Sequence, residues 1–402
     1  MSLAALSRIR LARMRHTMAG YVERGEVPGL VTLVSRRGET QVNAFGNKAL
    51  SSSDPMQRDT IFRIASLTKP LTAAAAMILV EDCVLRLDEP IDKWLPELAN
   101  RQVLRRIDSA LSDTVSAVRA ITVRDVLTSR MGFGSIMAAP NTYPIQRSIS
   151  ELQIGGDGPP SPATAPALDE WLRRLGTLPL LAQPGERWMY HVSSDVLGVL
   201  VARASGQSLE TFMTARLFTP LGMKDTAFAT TSTNSNRLSS CYRFDRPTNA
   251  FVLFDGVEGS QWTSTPAFQS GGGGLVSTAD DYLAFCQMLL NRGEHNRERI
   301  LSRVSVELMM RDHLKPEQKI GTELFLGDHS GWGFGGQVIT RQDGLSPSVG
   351  SFGWTGGLGT TAYTDSTEDM IGILLTTRTM DSPIAPNVFT DFWTSAYGAI
   401  DD

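Results

Sequence analysis

Ile64-Ala65-Ser66-Leu67-Thr68-Lys69-Pro70-Leu71-Thr72-Ala73-Ala74-Ala75-Ala76-Met77-Ile78-Leu79-Val80 is the stretch on which the reading of this chain turns. After Lys69 it carries no charge until Glu81, and its four consecutive alanines let neighbours pack close, so it predicts a buried helix. Pro70 suits the first turn, where its missing N–H would have had no partner. On a helix, residues three apart are neighbours, which brings the Lys69 amine to the Ser66 hydroxyl. A serine hydroxyl is a poor nucleophile at neutral pH, and a desolvated amine that has lost its proton can take the serine's. The free N–H groups at the start of the helix favour negative charge, as an oxyanion requires. A plain helix-capping serine is the alternative. The bare Ser-x-x-Lys pattern is weak on its own. Upstream, Asp59 to Ala65 predicts a short strand or turn leading into the serine.

This segment, followed by Leu85-Arg86-Leu87-Asp88-Glu89-Pro90-Ile91-Asp92-Lys93-Trp94-Leu95-Pro96, resembles the penicillin-recognising serine hydrolases. That superfamily includes class C β-lactamases, DD-peptidases and the family VIII carboxylesterases. The resemblance runs from Val27-Pro28-Gly29 to Trp354-Thr355-Gly356-Gly357, with several motifs in the expected order. It implies a β-lactamase/transpeptidase-like fold of α/β plus all-α character. A mostly antiparallel sheet is flanked by helices, a helical lobe is inserted, and the active site lies in the cleft between them.

The patterning along the chain agrees with that architecture. Leu30 to Ser35 and Glu39 to Phe45, rich in β-branched residues, flank the turn Arg37-Gly38 and predict a hairpin. Helical patterns dominate from about 68 to 220, among them Thr122 to Thr128 and Ser194 to Ala204, the latter ending at Ser205-Gly206. Strands are expected again only after about 265, at Gly333 to Thr340 and Met370 to Thr376, and Val388 to Ile400 predicts a closing amphipathic helix. Residues 154–167, rich in Gly and Pro, predict a mobile surface loop. The chain is thus expected to form one catalytic unit over 1–402, with an α/β lobe from 1–66 and 265–402 and a mainly helical lobe from 67–264.

Composition removes several function classes. With 42% hydrophobic and 20% charged residues in 402, the chain has an ordinary globular make-up and enough length for two packed lobes. A net charge of -4 leaves no basic footprint, so neither nucleic acid nor an anionic membrane surface is an expected partner. The three cysteines, Cys83, Cys241 and Cys286, make neither a disulfide framework nor a zinc signature, and Cys83 and Cys286 sit in apolar runs typical of small core residues. No metal or other cofactor is expected. Met1 to Arg15 carries a charge every few residues and lacks the apolar core of a signal peptide. It predicts an amphipathic helix and a cytoplasmic location, or a periplasmic or secreted one if a leader has been removed.

Two further motifs carry chemistry. In the resembling families a tyrosine at the place of Tyr190, within Gln183-Pro184-Gly185-Glu186-Arg187-Trp188-Met189-Tyr190-His191-Val192, shares the proton relay with the lysine, and that role is carried to Tyr190. Its phenol becomes a base only if a cation such as Lys69 lowers its pKa. A buried aromatic with a satisfied OH is the other reading. Val192 stands where β-lactamases place an asparagine that contacts the acylamide side chain. His191, adjacent to Tyr190, is expected to point elsewhere and to stay outside the chemistry. Gly353-Trp354-Thr355-Gly356-Gly357 falls where the superfamily places a Lys-Thr-Gly strand. The Ser66 and Gly357 N–H groups are the expected oxyanion donors. Trp354, Thr355 and Gly356, with Val192, are expected to contact substrate, and Trp354 offers a flat apolar surface where β-lactamases have a cation. A packed strand with an aromatic plug is the alternative. Ser270-Gly271-Gly272-Gly273-Gly274 is expected to be a flexible structural run before a helix capped by Ser277 or Thr278, since it lacks the lysine of a phosphate loop.

The absence of Gly-x-Ser-x-Gly and His-Glu-x-x-His disfavours an α/β-hydrolase triad and a zinc hydrolase. The expected function is cleavage of small carboxylic esters through an acyl-enzyme on Ser66, with Lys69 and Tyr190 moving the proton. The substrate is a small-molecule ester or amide. A β-lactamase or D-amino-acid peptidase, an acyltransferase, and a non-catalytic penicillin-binding-like sensor are the alternatives.

Overall fold

A computed structural model of the chain describes residues 5–155 and 160–401. Its centre is a seven-stranded, wholly antiparallel sheet. The strands lie in the order Ser330–Trp332, Gln337–Ile339, Phe352–Gly356, Thr360–Asp365, Met370–Thr376, Gly29–Arg36 and Glu39–Gly46. The first and last parts of the chain therefore meet, with Leu30 opposite Thr376 and Val34 opposite Gly372.

The continuous apolar runs of these strands follow from cover on both faces. Leu30, Val34, Met370 and Leu374 pack under the helices Arg8–Glu23 and Asn387–Gly398, against Met14, Met18, Phe389 and Phe392. Val31, Leu33, Ile371, Ile373 and Leu375 face the main core, which holds Phe285 and Met288 of the helix Ala279–Leu290. Gly372 is required by this packing, because a Cβ there would lie 2.4 Å from the Trp393 ring.

Thr68–Glu81 is the central helix of the remaining part, and Thr68 through Leu79 are all buried. The helix Val192–Ser205 packs on it and ends at Gly206, whose φ of 68° is the left-handed conformation that stops a helix. The expected helix at 122–128 is Val123–Leu127, with Thr122 as its cap. The first helix begins at Arg8, and the start of the predicted N-terminal helix, residues 1–4, lies outside the described residues. Residues 156–159 of the Gly/Pro-rich loop also lie outside them.

The structure differs from the sequence-based expectation in four places. Strands occur within 67–264, as the hairpins Gln102–Leu104/Thr114–Ser116 and Cys241–Asp245/Ala250–Asp255. They are short and partly exposed, so they lack the long apolar runs that announced the main sheet. Gly333 to Thr340 is a strand only over Gln337–Ile339, because Gly335, with φ 75°, turns against the Lys69 carbonyl, which a Cβ would approach to 2.6 Å. Cys83 is exposed, with φ 60° just beyond the central helix, whereas Cys241 and Cys286 are buried. The glycines 271–274 are buried rather than loose. Among the described residues, no helix is long and apolar enough to cross a membrane.

Candidate active site

Ser66 sits in a single 3₁₀ turn, Ala65–Leu67, between the two-residue strand Phe62–Arg63 and the central helix. Ala65 has φ 45°, sparsely populated for a residue with a side chain, which turns the backbone sharply just before Ser66. The surroundings hold this turn. Arg63 is buried and bonds through Nε to Asp255 Oδ2 at 2.6 Å, through Nη1 to the Ser239 carbonyl and through Nη2 to Ser260 Oγ. The unforeseen hairpin at 241–255 thus supplies the partner of a buried charge next to the site. From the sheet, Thr360 Oγ1 donates to the Ile64 carbonyl at 3.0 Å. Gly356 lets the strand come close, since a Cβ there would lie 2.5 Å from the same oxygen.

Lys69 Nζ lies 3.0 Å from Ser66 Oγ, 2.5 Å from the Gly272 carbonyl oxygen and 3.1 Å from His191 Nδ1. Tyr190 OH donates to Ser66 Oγ at 2.7 Å, and the Trp354 indole N–H donates to the Tyr190 oxygen at 2.8 Å. The ammonium end of Lys69 also sits 4.6 Å from the centre of the Tyr190 ring. The two residues expected to move the proton are therefore brought together on one serine oxygen.

Electrostatics divides their roles. Burial holds the Lys69 amine down from its usual 10.5 to about 7, against the opposing pull of Asp195. Both protonation states are then populated near neutral pH, which suits a general base. Burial pushes the Tyr190 phenol up to about 12, although its hydrogen bonds with Ser66 and Trp354 work the other way. This corrects the expectation that Lys69 would make Tyr190 a base in its own right. The Tyr190 phenol is therefore neutral near pH 7, and of the two groups it is Lys69 whose pKa suits a base there. Tyr190→Phe is expected to lower kcat by about 10²-fold or more. Trp354→Phe, which removes only the donor behind Tyr190, is expected to cost up to about tenfold. Initial rates on one ester check both.

His191 departs most from expectation. It has φ 77° and ψ -68°, and the Val192 N–H donates back to the Tyr190 carbonyl at 3.2 Å, a γ-turn centred on a residue with a side chain. In a helix or strand, neighbours point apart; in this turn Tyr190 and His191 both reach Lys69. On its far side, His191 Nε2 lies 3.2 Å from Asp195 Oδ2. Asp195 Oδ1 accepts from the Gly272 N–H at 2.9 Å and from Ser270 Oγ at 2.5 Å. Burial works to raise the Asp195 carboxyl, but His191, Ser270 and Gly272 together hold it below the usual carboxylate value. The glycine run is therefore part of the site. A Cβ on Gly272 would come within 3.0 Å of Asp195 Oδ1 and 3.1 Å of His191 Cε1. The sequence signal for Asp195 was its place one helical turn beyond His191, facing the same way.

Ser66 opens into a cavity of about 1020 Å³ whose walls include Tyr190, His191, Trp354, Thr355 and Gly357. Gly357 follows directly on the strand Phe352–Gly356 and is exposed, with nothing within 4 Å of where a Cβ would stand. Gly356 is buried against the Ser66 turn. Trp354 is only 5% exposed and packs at right angles to Trp332, ring centres 4.8 Å apart, so little of the broad face expected is open to the cavity. Val192 does not line this cavity. It lines a neighbouring one of about 580 Å³, with Phe133, Ile149, Trp171 and Phe268, which meets the first at Ser135, Pro160 and His191.

Comparison with known proteins places this geometry. The beta-lactamase family model matches residues 14–387. Protein Rv1367c of Mycobacterium tuberculosis (strain ATCC 25618 / H37Rv) is 39% identical over 363 residues, covering 87% of this chain and 86% of that protein. Esterase EstB of Burkholderia gladioli is 30% identical over 380 residues, covering 89% and 88%. Among solved structures, EstCE1, a hydrolase with promiscuous acyltransferase activity, superposes with a TM-score of 0.80 at 26% identity, covering 97% of this chain and 99% of its own. The fold, the arrangement around Ser66 and these relatives agree: the chain belongs to the beta-lactamase family of serine hydrolases and acyltransferases.

Proposed function

We propose that this protein is a carboxylesterase that cleaves neutral esters through an acyl-enzyme on Ser66. The observation that carries the reading is the convergence of Lys69 Nζ and Tyr190 OH on Ser66 Oγ at 3.0 and 2.7 Å. Neutral Lys69 takes the hydroxyl proton as Ser66 Oγ attacks the ester carbonyl carbon. The carbonyl oxygen becomes an oxyanion held by the Ser66 and Gly357 N–H groups, each such donor typically worth on the order of 10²–10³ in rate. The proton returns through Tyr190 to the departing alcohol, and water then releases the acid. The esterase names among the relatives support this reading.

The walls of the cavity favour an uncharged substrate. The only lysine or arginine among its described lining residues is Arg341, already paired with Asp328 at 2.8 Å and Asp343 at 2.9 Å. A β-lactam carboxylate entering here exchanges water for no unpaired cation, and an unpaired charge is costly to desolvate. Trp354 and Val192 supply neither the cation nor the amide that β-lactamases place at these positions. The ratio of kcat/KM for a short-chain p-nitrophenyl ester to that for a chromogenic cephalosporin is expected to be about 10² or more, the scale of one or two missing polar contacts. Both rates measured on one enzyme preparation decide it, and equal or reversed values point to a β-lactamase.

Acyl transfer is the second reading, favoured by the acyltransferase activity in the description of EstCE1. A cavity of about 1020 Å³ can hold an alcohol beside the acyl-enzyme. Adding a second alcohol during ester turnover and assaying for its ester separates transfer from hydrolysis.

A further inference from the structure

A neutral lysine amine has two N–H donors and one lone pair, and Lys69 has three partners. The Gly272 carbonyl can only accept. Ser66 Oγ already accepts from Tyr190, so its own hydrogen is free to point at Lys69. The third partner decides whether the lone pair meets that hydrogen. If His191 Nδ1 is bare, it accepts the second Lys69 N–H and the lone pair is left for Ser66. If Nδ1 carries the proton, it donates into the lone pair, and Ser66 loses its base.

The choice is made at the other imidazole nitrogen. Nε2 faces Asp195 Oδ2, an acceptor, and Asp195 is anchored by Gly272 N–H and Ser270 Oγ on its other oxygen. Gly272 gives its carbonyl to Lys69 and its N–H to Asp195, so Lys69, Gly272, Asp195 and His191 close a ring of hydrogen bonds. The strained γ-turn at His191 has a use in this ring, because it aims the imidazole between the amine and the carboxylate. Among the described residues, the titratable groups facing Lys69 are Tyr190, His191 and, behind it, Asp195.

We propose that His191 and Asp195 are a positioning pair for Lys69: Asp195 keeps the proton on His191 Nε2, and the bare Nδ1 orients the amine so that its lone pair faces Ser66. Neither residue exchanges a proton during the reaction. The pair acts only through Lys69. The kinetic part of the proposal rests on the esterase reading, while the tautomer does not.

Asp195→Asn puts an N–H donor against His191 Nε2 and drives the imidazole to the Nδ1–H form, the tautomer error that makes the equivalent change in a Ser-His-Asp triad so costly. The expected result is a fall in kcat of about 10²-fold or more with little change in KM. His191→Ala alone removes the orienting acceptor without adding a wrong-way donor and is expected to cost about tenfold. The double variant is expected to be faster than Asp195→Asn, because the misdirected N–H is gone. A double variant as slow as the product of the two single losses would overturn the proposal. A second measurement needs neither substrate nor variant turnover. Nitrogen NMR of the ¹⁵N-histidine-labelled wild-type protein, recorded above the usual imidazole pKa and with His191 assigned by its absence in His191→Ala, reads the tautomer directly. A protonated Nε2 and bare Nδ1 are expected; a proton on Nδ1 overturns the pair, whatever the substrate proves to be.

Discussion

Ser66→Ala is expected to abolish ester hydrolysis, with a fall in kcat on the order of 10⁶-fold, the scale seen when the nucleophile of a serine relay is removed. Nothing else near Ser66 can replace it. The neighbouring groups are an amine, a phenol and an imidazole, placed to serve the serine oxygen at 2.7 to 3.0 Å or to support those that do. The fold should survive. Ser66 contributes a small side chain at a turn whose position is set by Arg63, Thr360 and Gly356, and removing its oxygen leaves Tyr190 one partner short, a loss of about 1 kcal/mol. Circular dichroism and thermal melting beside the activity assay check both halves. Full activity in a folded Ser66→Ala protein would remove the mechanism.

Lys69→Met is expected to cost at least about 10²-fold in kcat, the usual worth of a positioned base, and also to change how stability depends on pH. The amine's pKa is depressed from 10.5 unfolded to about 7 folded. Between those values the unfolded chain binds more protons, so wild-type stability rises with pH across the window, by about 1.4 kcal/mol per unit. Below about 7 the full cost of the buried charge, about 5 kcal/mol, is present. Methionine has a similar length and no charge, though it leaves Gly272 O and His191 Nδ1 without a donor. The stability of Lys69→Met relative to wild type is therefore expected to be most favourable at or below pH 7 and to decline steadily towards 10.5. Urea melts at three pH values test it, and a pH-independent difference would mean that Lys69 does not titrate in this window. The same depressed pKa predicts that wild-type kcat/KM rises with pH and levels off above about 7.

The parts of this molecule that can be read in its sequence are those where one local rule decides. The uncharged run after Lys69 and the i, i+3 spacing of Ser66 announce a buried helix with a serine and a lysine in contact at its start. The apolar runs at 30–35 and 370–376 announce strands covered on both faces, and Gly206 announces a helix end. Local rules failed where long-range contacts decide. The γ-turn at His191 is held by packing against Lys69 and Asp195, so adjacency in sequence wrongly separated His191 from Tyr190. The Gly272 carbonyl is a backbone atom, and no residue code announces it as a lysine partner. Burial sets the direction of the Tyr190 shift, and the sequence does not show how enclosed a phenol will be. Trp354 read as a bare apolar surface because its partner, Tyr190, is 164 residues away.

The central claim is a covalent acyl group on Ser66. Rapid acid quench of the enzyme with a p-nitrophenyl ester, followed by mass spectrometry of the intact protein and its peptides, tests it directly. The account predicts one added acyl group per chain, located on the peptide that carries Ser66, absent in Ser66→Ala, and accompanied by a burst of p-nitrophenol wherever deacylation is the slower step. An acyl group on another residue, or the same adduct in Ser66→Ala, would contradict it.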